Sequence, residues 1–292
     1  MESDPIFSRS YPNSAGSSLP RFRPPPAACD CHLHIYDPRF PMAWPELRPT
    51  PDATVADYRL LQQRLGTTRA VVVQPAAYGI DNRVTLDALA QMGPEARGVA
   101  VVPPSVRDEE LAAMHEAGVR GVRFSLYDPN TAVISADMIE PLAPRIAAMG
   151  WHVQLHLRGD QIVAMADLIG RLPGTVVVDH MGRLPQPEGI RHRAFSVVRR
   201  LLDSGRAWVK LSGPYLESKT GSPHYSDASR VAREYVRHAP QRLVWGSDWP
   251  HPTERDKKPD DAALLDLLHE WALDDELFRR ILADNPAILY GF

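Results

Sequence analysis

Eight short, β-branched apolar runs recur along this chain with helix-patterned stretches between them. That alternation limits the folds open to it more than any other feature. The runs fall at 28–36, 70–75, 98–103, 119–126, 151–157, 175–180, 207–212 and 243–249. Between them, apolar residues take helical spacing, as in Val84-Leu86-Leu89-Met92, Met138-Leu142-Ile146-Met149 and Val197-Val198-Leu201-Leu202. Gly66, Gly93, Gly118, Gly150 and Gly205 follow such stretches where a helix would end. Strands alternating with helices imply a parallel sheet joined by crossovers, and eight is the number that closes an α/β (β/α)₈ barrel. A nine-strand open sheet or a doubly wound fold is the alternative. At 292 residues the chain has the length for one such barrel.

Residues 1–26 are rich in Ser, Pro and Arg, lack apolar periodicity and end in Pro24-Pro25-Pro26. They read as a flexible or surface-wrapped arm, with a catalytic barrel over 27–292. The stretch 260–292 carries two further helical patterns, expected to cover one end of the barrel. The chain is 44% hydrophobic and 24% charged with a net charge of −3, so it can bury a core and offers no basic footprint for nucleic acid. No apolar run reaches the ~18 residues of a membrane span, and the start lacks a signal-peptide pattern. A cytoplasmic protein with no nucleic-acid or membrane partner is the expectation. Phosphate-binding and nucleophile-elbow glycine motifs are absent, which removes the usual support for nucleotide or serine-hydrolase chemistry.

The first run ends Asp30-Cys31-His32-Leu33-His34. Strict strand alternation puts Asp30, His32 and His34 on the lumen face and Cys29 and Cys31 on the outer one, as reduced, packed thiols. Two imidazoles two residues apart can share one ion at ~2.0–2.1 Å. With 11 histidines in the chain, His-x-His alone is weak evidence. His156 closes the fifth run, His180 the sixth and Asp248 the eighth, each at the strand end where barrel enzymes gather their chemistry. Four histidines and a carboxylate on one rim make a ligand set for a divalent transition metal. Any one of them, taken singly, is more often a hydrogen-bonded strand-end side chain.

Those residues, with the phrases Arg120-Gly121-Val122-Arg123-Phe124, Val178-Asp179-His180-Met181-Gly182-Arg183 and Trp245-Gly246-Ser247-Asp248-Trp249-Pro250-His251, resemble the amidohydrolase superfamily in its amidohydrolase-2 branch. The likeness is to the lactone-acting members: pyrone dicarboxylate lactonase, sulfomuconolactone hydrolase and galactarolactone isomerase. It implies a (β/α)₈ fold and lactone hydrolysis. It also implies a metal on His32, His34, His156 and Asp248, a carbonyl polarised by His180, and Asp248 as the base that later protonates the leaving oxygen. The pyrone branch works without an ion and carries tyrosine where this chain has His156, so zinc first and manganese second are expected, with a metal-free site as the alternative.

Candidate substrate contacts are Arg123, Gln74, Tyr127, Tyr215 and His251, with Lys210 read as buried and paired, Asp30 being its candidate partner. After Arg123-Phe124 the chain reads Ser125-Leu126-Tyr127-Asp128-Pro129, where the pyrone enzymes carry more basic residues. A small monoanionic lactone, of the muconolactone, sulfonated muconolactone or sugar acid type, is therefore the expected partner; a homodimer is left open. The runner-up function is a metal-dependent decarboxylase on the same site. A non-catalytic barrel that binds an anion or a metal is the third reading.

Overall fold

The computed structural model describes residues 10–48, 51–129 and 132–292. Eight parallel strands run in the order β1 to β8 around one sheet: β1 (Cys29–Leu33), β2 (Arg69–Val73), β3 (Ala96–Ala100), β4 (Val119–Ser125), β5 (His152–His156), β6 (Thr175–Val178), β7 (Ala207–Leu211) and β8 (Leu243–Trp245). Past the end of β8 the chain returns to β1. The Asp248 N–H donates to the His32 carbonyl and the His34 N–H to the Trp249 carbonyl, each at 2.8 Å, which joins the last strand to the first. The fold is a (β/α)₈ barrel.

The helices follow the pattern of the sequence. α1 (Val55–Leu65) starts at a capping box between Thr54 and Asp57 and stops at Gly66 in the left-handed region. α2 (Arg83–Met92), α3 (Asp108–Glu116), α4 (Ile139–Ala148), α5 (Gly159–Ala164), α6 (Ala166–Arg171), α7 (Arg193–Asp203) and α8 (Ser226–His238) follow the successive strands. α7 shows how the spacing works: Ala194, Phe195, Val197, Val198, Leu201 and Leu202 are all buried on the side facing the sheet. The main core lies between the strands' outer faces and this ring of helices.

A second, smaller core fills the lumen: Val71, Val73, Val99, Val177, Trp208 and Val244, with Cys29, Cys31 and Tyr290. The cysteines therefore lie inside the barrel, the reverse of the alternation argument. Asp30 points outward and accepts from Ser247 Oγ (2.6 Å), the Ser247 N–H (2.9 Å) and the Tyr58 hydroxyl of α1 (3.2 Å). The cause is a register shift between Asp30 and Leu33. A bulge of this kind adds one residue without changing sides, so His32 and His34 still reach the lumen. Burial lifts the Asp30 carboxyl to about 6, against the hydrogen bonds that favour its charge.

Three helices cover the N-terminal end of the barrel and its flank: α9 (Asp261–Ala272), α10 (Asp275–Arg279) and α11 (Asn285–Tyr290), the last two joined by a π-helical turn, Arg280–Asp284. Tyr290 of α11 plugs the lumen, its ring 5.5 Å from that of His152. Of the arm, residues 10–26 run across α1 and α9, while residues 1–9 lie outside the described residues. Trp249 Nε1 donates to the Pro12 carbonyl (2.9 Å), Arg64 to those of Ser18 (2.9 Å) and Ala15 (3.0 Å), and Phe22 stacks on His269 at 3.6 Å. No helix among the described residues is long and apolar enough to cross a membrane.

Candidate active site

The C-terminal ends of the strands converge on a cavity of about 270 Å³ lined by His34, Arg123, Tyr127, His156, His180, Arg183 and Asp248, among others. His34 lines its floor, with His32 buried just behind it. The His34 Nδ1 lies 2.8 Å from the Val73 carbonyl, which can only accept, so the ring donates there and turns its Nε2 toward the site. That Nε2 is 3.3 Å from His32 Nε2, and both are 3.6 Å from Asp248 Oδ1. Two ring nitrogens this close call for a proton or a cation between them. A tetrahedral ion with ligands at ~2.0–2.2 Å would space its donors by about 3.3–3.6 Å, so the three atoms fit the edges of such a site. His32, His34 and Asp248 are a group whose ligand atoms all lie within 4.8 Å of one another. They can hold a divalent cation.

Close backbone packing places these groups. Gly246, at the end of β8, runs so near β1 that a Cβ there would lie 2.5 Å from His32 Cβ and 2.7 Å from its backbone nitrogen. Beyond it Asp248 takes a left-handed φ of 64° and turns its carboxylate over the imidazoles. His180 stands beside them, with Nε2 4.0 Å from Asp248 Oδ1 and Nδ1 2.9 Å from Ser212 Oγ. Alternation from Val177 would turn His180 away from the lumen. Left-handed backbone at His180, Met181, Gly182 and Arg183 (φ 48°, 56°, 78° and 46°) swings it back. Burial pushes the His32, His156 and His180 imidazoles well below their usual range. Asp248 stays ionised: burial opposes its charge, but the facing rings of His180 and His34 outweigh it.

His156 sits apart from that group. Its Nδ1 lies 2.9 Å from Ser125 Oγ, its Nε2 faces the Arg183 guanidinium at 3.4 Å, and its ring stacks on Tyr127 with centroids 5.2 Å apart. Arg183 lies over the Tyr127 ring at 3.9 Å and donates from Nε to Glu217 (2.8 Å). Arg123 lines the cavity while its Nε donates to Asp179 Oδ2 (3.0 Å). Gln74 does not line this cavity; its amide donates to the carbonyls of Gly79 and Asp81, and its oxygen accepts from Thr85. Tyr215 and His251 also lie off the lining, on the far side of Asp248.

Sequence reasoning missed Asp179 and Arg183. Asp179 is fully buried beneath His32: Oδ2 accepts from Arg123 and Gln154 (3.1 Å), and Oδ1 is 3.4 Å from His32 Nδ1 and 3.9 Å from Lys210 Nζ. Burial alone would raise its pKa, yet His32, Arg123 and Lys210 hold it well below the usual carboxylate range. Lys210 thus pairs with Asp179 and donates to the Cys31 carbonyl (2.8 Å), rather than meeting Asp30; burial lowers it to about 8. A charged residue after an apolar run inside a barrel must find partners, and that signal was present in Val176-Val177-Val178-Asp179.

The chain is 39% identical to a 2-pyrone-4,6-dicarboxylate hydrolase of Comamonas testosteroni over 287 residues, covering 94% of each. It is 35% identical to a 4-sulfomuconolactone hydrolase of Rhizobium radiobacter, covering 92% of each. An apo crystal structure of an Agrobacterium tumefaciens protein superposes with a TM-score of 0.87 at 29% identity, covering 96% of this chain and 98% of that one. Residues 29–292 match the amidohydrolase family model, and the chain belongs to that family, in its amidohydrolase-2 branch.

Proposed function

We propose that this barrel hydrolyses the ester bond of a small anionic lactone. Asp248 is the general base, His180 the group that polarises the carbonyl, and Arg123 the anchor for the substrate's anion. The observation that carries the reading is the Asp248 carboxylate, whose Oδ1 faces the imidazoles of His32, His34 and His180 at 3.6, 3.6 and 4.0 Å on the rim of the cavity. The two curated relatives are lactone hydrolases, which leaves the decarboxylase alternative with less support.

A divalent cation on His32, His34 and Asp248, zinc first and manganese second, would polarise the scissile carbonyl and lower the pKa of a water at the site toward ~7. His156 is the proposed fourth ligand only if its Nε2 leaves Arg183. The chain's own residues do the rest. Asp248 Oδ1 takes the proton of the attacking water as its oxygen bonds to the carbonyl carbon. With Nδ1 accepting from Ser212 Oγ at 2.9 Å, His180 turns an Nε2–H toward the oxygen on which charge develops. When the ring C–O bond breaks, the proton on Asp248 passes to the leaving oxygen. Arg123, fixed at Nε by Asp179, has its two terminal nitrogens for the substrate's carboxylate or sulfonate. Tyr127 forms a wall against the substrate ring.

The test is a panel of anionic lactones read by proton release, with and without added zinc or manganese. The reading expects at least one monoanionic lactone to open with release of one proton per ring. No turnover on any of them, or release of carbon dioxide from an aromatic acid instead, would overturn it.

A further inference from the structure

Behind the Asp248 carboxylate lies a chain of hydrogen bonds that the reaction scheme does not use. The Tyr215 hydroxyl is 2.7 Å from Asp248 Oδ2 and 2.9 Å from His251 Nδ1, and His251 Nε2 is 3.1 Å from Asp261 Oδ2. A hydroxyl has one proton and an ionised carboxylate only accepts, so Tyr215 donates to Asp248. Its oxygen then accepts from the Nδ1–H of His251, and the contact of Nε2 with Asp261 Oδ2 needs a second proton between those two atoms. His251 and Asp261 are fully buried. His251 is the hydrogen-bond partner of Asp261's carboxylate, whose other oxygen is buried without one. A buried carboxylate is costly unless paired, so the pairing serves the ring and the ring serves the tyrosine. His251 is itself held in place: its N–H donates to the Asp248 carbonyl at 2.7 Å and its φ is 56°. Neither Tyr215 nor His251 lines the cavity.

We propose that Tyr215 and His251 are positioning residues: Tyr215 holds Oδ2 and stops the Asp248 carboxylate from rotating, so that Oδ1 stays aimed at His32, His34 and His180, while His251, braced by Asp261, keeps the hydroxyl turned toward Asp248. They do not contact the substrate. This inference rests on the reading of Asp248 as the base. Without the clamp, an unbonded carboxylate turns about its Cβ–Cγ bond, and the proton-accepting oxygen leaves its line for part of the time.

The experiment is steady-state kinetics of Tyr215→Phe, His251→Gln and the double variant on the lactone the native enzyme opens, with Asp248→Asn alongside. Loss of such an outer partner is expected to lower kcat about 10- to 100-fold, with KM changed no more than about twofold. The double variant should be no slower than Tyr215→Phe, because both act through one hydroxyl. A KM that rises while kcat holds would make Tyr215 a substrate contact and overturn the proposal, as would an unchanged kcat. Tyr215→Phe keeps the ring and is decisive by itself if His251→Gln fails to fold. If Asp248→Asn is inactive while Tyr215→Phe turns over like the native enzyme, only the positioning proposal fails. If Asp248→Asn keeps full turnover, the reading of the base fails with it.

Discussion

Asp179→Asn is the substitution to which the lumen should respond most strongly. The amide keeps the carboxylate's size and removes its charge. Arg123 (5% exposed) and Lys210 (0% exposed) then share a buried lumen with no anion between them. Breaking a buried ion pair from one side costs about 3–5 kcal/mol, a large part of the ~5–15 kcal/mol that holds a domain together. At about 2–4 °C per kcal/mol for a chain of this order, Tm should fall by roughly 6–20 °C. The pH dependence has a definite sign. The Asp179 carboxyl is depressed in the folded state, so its stabilisation is complete above the unfolded value of ~3.9 and is lost as pH falls toward the folded one. The gap between native and variant should therefore be constant from about pH 5 to 7 and narrow below about pH 4. Thermal unfolding followed by circular dichroism across that range reads it. Adding Lys210→Met should return part of the loss, because the uncompensated cation goes with the anion. A Tm within about 2 °C of the native protein at pH 7 would refute the idea that Asp179 is the counter-charge of the lumen.

Two other substitutions test how the barrel positions its site. Gly246→Ala would place a Cβ 2.5 Å from His32 Cβ and 2.7 Å from its backbone nitrogen; a loss of about 1–3 kcal/mol by denaturant titration is expected, together with a fall in cation affinity in competition with a chromophoric chelator. Tyr290→Ala empties the plug of the lumen and should cost about 3–5 kcal/mol, with kcat on the native lactone unchanged, because the ring lies at the opposite end from the cavity.

Much of the barrel was legible because buried parallel strands read as apolar runs and their helices as stripes. All eight runs hold a strand, but several strands stop short of the functional residue. β6 ends at Val178 and β8 at Trp245, so His180 and Asp248 belong to left-handed turns that no alternation rule describes. The first strand shows the limit most clearly. A bulge between Asp30 and Leu33 leaves no mark in composition, and it alone decides that Cys31 and His32 both face the lumen. The gathering of His32, His34, His180 and Asp248 could be expected from their places at strand ends. That Asp179 lies under them, with Arg123, Gln154 and Lys210 around it, could not, because such partnership depends on residues brought from three other strands.

The most direct measurement is the turnover of Asp248→Asn on the lactone the native enzyme opens, with the thermal transition recorded on the same sample. An amide cannot take the water's proton, and the variant should keep its cooperative unfolding while kcat falls about 10²–10⁴-fold, the range general base catalysis supplies. Turnover within tenfold of the native enzyme from a folded variant would mean that the proton goes elsewhere.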